Sequence, residues 1–154
     1  MLSTTRSPAR AGLLREAGVD HVIIDTGEIA AEVRRLIPAG VDGAVELVGT
    51  NVMQDTLRAV RTGGTVCFTG MLSDEWTIPE FYPMAWLPNG VRLTAYSGEA
   101  SDLSATDLQA FIDAVAAGHA RVPIGRVYEL ADIAQAHRDM EAGVGGGKLV
   151  VLPR

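Results

Sequence analysis

Short apolar runs recur from one end of the chain to the other, and stretches of helical length and period separate most of them. Leu2–Thr5, His21–Ile24, residues 41–48, 65–69, 91–97 and 124–128, and Lys148–Leu152 read as strands. Between them lie helical patterns: Leu13, Leu14 and Ala17; Ile29, Val33 and Leu36; Met53, Leu57 and Val60; Leu108, Phe111 and Val115; Ile133, Ala136 and Met140. Strands joined through helices pair in parallel, and right-handed crossovers put helices on both faces of the sheet. The expectation is an α/β fold with a doubly wound, mostly parallel sheet. Local signals set the boundaries. Ser7 with Pro8 predicts a helix start, Asp25 and Glu28 form a capping pair, and Thr50 and Ser104 stand at cap positions. Gly18, Pro38, the Gly63–Gly64 pair and Gly118 mark helix ends.

The chain has 154 residues, enough for one domain with a sizeable core. Its net charge of -6 argues against a nucleic acid or an anionic membrane surface as partner. No apolar run is long enough to span a bilayer. One cysteine, Cys67, forms no internal disulfide and fits a reducing cytoplasm. His21, His119 and His137 show no metal-ligand spacing with one another or with Cys67, so no metal is expected.

Ligands of open α/β sheets gather at the carboxyl ends of the strands. Those ends hold Thr4, Thr5, Arg6 and Ser7; Asp25; Val48, Gly49 and Thr50; and Gly70, Met71 and Leu72. Small and polar residues there suit a backbone that approaches a flat ligand, and they equally suit plain turns. The first stretch has no carboxylate, and Arg10 follows one turn on. Hydroxyls, guanidinium groups and a helix start favour a phosphate, as in recognition of the 2′-phosphate of NADP. A solvated basic helix start is the other reading.

"TTRSPARAGLLREAGVDHVI", "GVDGAVELVGT", "LRAVRTGGTVCFTG" and the tail "YELADIAQAHRDMEAGVGGGKLVVL" follow one another in order. Together they resemble the medium-chain dehydrogenase/reductase superfamily, in particular its zinc-independent NADPH:quinone oxidoreductase branch. The resemblance implies a Rossmann-like domain and NADPH as cofactor. It places Thr5, Arg6, Ser7 and Arg10 around the 2′-phosphate. Asp25 falls where relatives commonly carry a tyrosine near the adenosine. Val48, Gly49 and Thr50 fall along the ribose and nicotinamide, and Gly70, Met71 and Leu72 beside the nicotinamide. It implies further that residues 1–154 are an incomplete dinucleotide-binding domain, without the family's first strand and helix. The catalytic domain, or a second chain, would then be the partner. The two halves of the sheet are expected to close directly or to take a strand from another chain. A homodimer is expected through the edge that runs from Val91 to Ser97. The function implied is that of a cofactor-binding fragment of an NADPH-dependent reductase of quinones or activated alkenes, inactive alone and with weak NADPH affinity.

Competing readings are a non-catalytic NADPH- or partner-binding module and a fragment of a zinc-dependent alcohol dehydrogenase. An S-adenosylmethionine methyltransferase needs a glycine-rich turn after its first strand and an acid after its second. The stretch "GVGGGK" follows a helix and lacks a Ser or Thr after its lysine, so it reads as a turn and not as a P-loop. Asp42 and Glu46 share one face by strand period, with no partner acid to make a catalytic pair. The segment 76–86, rich in aromatics and prolines, reads as a core flap or a subunit contact.

Overall fold

The computed structural model describes residues 1–153. Strands and helices alternate: β1 (Leu2–Thr5), α1 (Ala11–Glu16), β2 (His21–Ile24), α2 (Ile29–Leu36), β3 (Val41–Glu46), α3 (Thr50–Ala59), β4 (Val60–Phe68), α4 (Pro83–Trp86) and β5 (Arg92–Ala95). They continue with α5 (Ala105–Ala116), β6 (Ile124–Glu129), α6 (Ile133–Glu141) and β7 (Lys148–Leu152). Every strand pair is parallel. The fold is α/β, with parallel strands flanked by helices in the Rossmann-like manner. Two compact units make it up, Met1–Gly98 and Glu99–Arg154.

In the first unit β1 pairs with β2, and a separate sheet runs β3-β4-β5. Among the described residues no ladder joins the two sheets, so the expected direct closure of the halves does not occur. Helix packing holds them instead. Ile23, Ala30, Val33 and Ala59 form one buried cluster, against which Leu2, Ile29 and Val41 pack. Met53, Leu57, Val60 and Val66 form the other, covered in part by Ile78 and Trp86. Val41 touches both clusters. Each fully buried side chain of this kind, such as Leu57 or Val66, contributes about 1.5–3 kcal/mol. The segment 76–86 is thus in part a core flap: Ile78 and Trp86 pack on the core, while Trp76 is exposed.

Several helix ends differ from expectation because distant groups supply the bonds. Asp25 and Glu28 do not cap α2; Asp25 Oδ1 accepts from Gly27 N–H at 2.8 Å. The α2 start is served by Asp55 of α3, whose Oδ2 accepts from Ala30 N–H at 3.1 Å. Arg34 reaches back from α2 and donates to the Arg58 and Val60 carbonyls, at 3.0 Å each. Val60, read as helical, starts β4, and Gly63 and Gly64 lie inside that strand. Ser104 does cap α5, accepting from Asp107 N–H at 3.0 Å.

In the second unit β6 pairs with β7. "GVGGGK" forms the turn between α6 and β7, where Gly143, Gly145 and Gly146 take positive φ. Asp139 of α6 is buried and accepts from the Tyr128 hydroxyl at 2.7 Å, from Gln135 at 2.7 Å and from Arg126 at 2.9 Å. The hydroxyl of Tyr128, the amide of Gln135 and the charge of Arg126 hold the Asp139 carboxyl below its usual range. Burial, and then Asp139, push the Tyr128 hydroxyl up. A depressed carboxylate stabilises the fold above its unfolded value and loses that contribution as pH falls through its native value. The contribution of this link between β6 and α6 should therefore begin to erode as pH falls below the ordinary aspartate value of about 4, and be lost only below it, as pH passes the depressed native value. In Asp139→Asn, this part of the acid transition should disappear from a far-UV circular dichroism titration. An unchanged acid transition would contradict the assignment.

Candidate functional site

The expected site residues fall into two groups. Thr5 ends β1, and its Oγ1 accepts from Ser7 N–H at 3.2 Å. Asp25 N–H donates to the Thr5 carbonyl at 2.9 Å, which brings Asp25 beside Thr5. Ser7 stands before the first turn, yet its side chain makes no capping bond. That turn, Pro8–Arg10, is a three-residue 3₁₀ turn leading into a six-residue α1. So short a helix brings little dipole, and any attraction for an anion rests on the side chains. Arg6 and Arg10 are exposed, and their guanidinium groups make no hydrogen bond or ion pair with the described residues. Asp25, a single carboxylate, is engaged with Gly27.

The second group joins Val48, Gly49, Thr50 and Gly70. Gly49 takes φ +145°, and a Cβ there would meet Ser73 Oγ at 2.1 Å. A Cβ on Gly70 would meet the Leu47 carbonyl oxygen at 2.0 Å. Ser73 N–H donates to the Val48 carbonyl at 2.9 Å. The loops that follow β3 and β4 are thus fitted backbone to backbone at Gly70, while at Gly49 the Ser73 side chain takes the space of a Cβ. Thr50 was expected as the cap of α3; it is instead the first helical residue, with Gly49 at the cap, and its hydroxyl donates to the Glu75 carbonyl at 3.0 Å. Met71 lines a cavity of about 460 Å³ together with Thr50, Met53, Phe68 and Trp76, and Leu72 is exposed. Among the described residues no hydrogen bond or ion pair joins this group to the first.

The sequence weighs Glu46 only as half of a catalytic pair with Asp42 and gives it no role. The register shift opposite Val41–Gly43 lies in β4, where five positions from Val60 to Thr65 span two of β3, so Asp42 and Glu46 differ by their surroundings and not by a break in the period of β3. Asp42 is exposed and pairs with Arg61 at 2.6 Å. Glu46 is buried, and its Oε1 accepts from Val48 N–H at 2.7 Å and Gly49 N–H at 3.3 Å. Its Oε2 accepts from the Thr56 hydroxyl at 2.5 Å. The available signal was an acid at the end of a strand, two residues ahead of loop amides that need an acceptor.

The family model for zinc-binding dehydrogenases matches residues 17–151. An L-idonate 5-dehydrogenase from Vitis vinifera is 32% identical over 77 residues, 46% of this chain and 21% of that protein. The crystal structure of AibC has 30% identity and a TM-score of 0.82, with 99% of this chain and 42% of that one covered. A mycobacterial protein complexed with NADPH has 28% identity and a TM-score of 0.76, with 99% and 48% covered. The chain thus spans less than half the length of these relatives. Zinc is named in the family's description, but among the described residues no three His, Cys, Asp or Glu side chains lie close enough to hold a metal ion. Nor is any helix among them long and apolar enough to cross a membrane. A match over most of the chain, on a parallel α/β scaffold, identifies it: this chain belongs to the zinc-binding dehydrogenase family.

Proposed function

We propose that the chain is the nicotinamide-nucleotide-binding part of an oxidoreductase that uses NADPH to reduce quinones or activated alkenes. The observation that carries this reading is the pair of unengaged guanidinium groups, Arg6 and Arg10, just beyond the end of β1. One relative was solved with NADPH, and another at 28% identity is a mycobacterial quinone oxidoreductase. On this reading Thr5, Arg6, Ser7 and Arg10 hold the 2′-phosphate, with Asp25 at the edge of the adenosine. Val48, Gly49 and Thr50 run along the ribose and nicotinamide, and Gly70, Met71 and Leu72 back the ring. When bound, the nicotinamide supplies the hydride; these residues orient it. The groups that face the substrate come from a further domain or a second chain, and the setting is the reducing cytoplasm.

Trp76 shares a cavity with Met71, so its fluorescence reports on this end of the site. Titration with NADPH should quench it at concentrations about tenfold lower than NADH requires, a difference of one charge-assisted contact or more. Equal affinities would contradict the NADPH assignment. β5 lies at an edge of its sheet, and we propose that two copies pair through it. Light scattering should then give twice the chain mass; a single-chain mass at high concentration would reject the pairing.

A further inference from the structure

We propose that Glu46 is a positioning residue that decides which part of the nucleotide meets the loop after β3. It engages the N–H groups of Val48 and Gly49 and so reserves that loop for uncharged ribose and nicotinamide, turning phosphate away. The proposal rests on the cofactor reading given under the proposed function. α3 is ten residues long, and the start of such a helix normally offers free N–H groups to an anion. Here the N–H of Gly49, at the cap of α3, and that of Val48, just before it, already serve the Glu46 carboxylate. A phosphate at this place would lose those donors and face a buried like charge. What the loop presents outward is apolar: Leu47 and Val48 are both exposed. The same residue sets the neighbouring loop, because its backbone carbonyl accepts from Thr69 N–H at 3.0 Å and Gly70 N–H at 3.1 Å. Both loops of the second group are therefore referenced to one residue, and Thr56 fixes its side chain from α3.

The test compares Glu46→Ala, Glu46→Gln and Thr56→Val with the unaltered 154-residue chain. Inorganic pyrophosphate and NADPH are the probes, and the amide resonances of Val48 and Gly49 and the NADPH dissociation constant are the readouts. In the unaltered chain pyrophosphate should leave both amides unmoved. In Glu46→Ala it should shift both, and NADPH affinity should fall about tenfold. Glu46→Gln keeps an oxygen that accepts from both N–H groups, so its affinity should stay within about threefold of the original and its amides should stay unmoved. This rescue separates positioning from a general loss of packing. Should Glu46→Ala fail to fold, Thr56→Val decides, with an expected loss of about threefold because one of three bonds to the carboxylate is gone. The proposal is overturned if pyrophosphate moves the two amides in the unaltered chain, or if the variant that decides binds NADPH as the unaltered chain does. Absence of saturable NADPH binding by the unaltered chain overturns the cofactor reading. The pyrophosphate comparison then still decides separately whether Glu46 keeps anions off the loop.

Discussion

Replacing Arg6 and Arg10 together with alanine is expected to weaken NADPH binding roughly ten- to hundredfold, while NADH affinity changes less than about twofold. Neither guanidinium group is committed to a carboxylate among the described residues, so each is available to a dianionic phosphate. Both are exposed, so salt should erode the difference between the two coenzymes. Lysine at both positions should recover only part of the loss, because it keeps the charge without the two-pronged geometry. Calorimetric titration at two salt concentrations measures all of this. Parallel losses for NADPH and NADH would show that the arginines act through the fold, and the 2′-phosphate assignment would fall.

Gly70→Ala is expected to cost about 3 kcal/mol of stability, among the larger effects of any single substitution in this chain. The added carbon would lie 2.0 Å from the Leu47 carbonyl oxygen and 2.3 Å from the Leu47 carbonyl carbon and Cα. These are backbone atoms, and they cannot rotate away as a side chain would. Gly49→Ala combines strain at φ +145° with a clash that Ser73 can partly relieve, so a Gly49→Ala, Ser73→Ala double variant should recover part of its loss. Urea unfolding followed by circular dichroism gives both values. A loss below about 1 kcal/mol for Gly70→Ala would mean that the two loops separate easily, and the rigid site described above would be wrong.

The alternation of strands and helices was legible because period two and period 3.6 are written directly in the apolar residues. Leu2–Thr5, His21–Ile24 and Lys148–Leu152 begin and end where the sequence puts them. Ser104 capped its helix because the bond is local, three residues long. The helix ends that were misread depend on partners far along the chain: Ala30 on Asp55, and the end of α3 on Arg34. No local pattern encodes such a bond. The role of Glu46 was hidden for a related reason. Its partners are the loop amides of Val48 and Gly49 and the Thr56 hydroxyl of α3, and strand period says nothing of what a strand's last residue meets beyond its end. The resemblance implied two halves of a sheet; that they stay unpaired in the first unit was not readable, because pairing between strands distant in sequence is decided by tertiary packing.

The exchange of bonds between α2 and α3 bears on how this region assembles. Ala30 borrows its acceptor from Asp55, and the carbonyls of Arg58 and Val60 borrow their donor from Arg34. Neither helix is finished without the other, so a peptide carrying only one of them starts with frayed ends and a marginal nucleus. The two helices therefore form and melt as a single cooperative block, and the hydrogen exchange of their most protected amides should report one shared opening free energy rather than two.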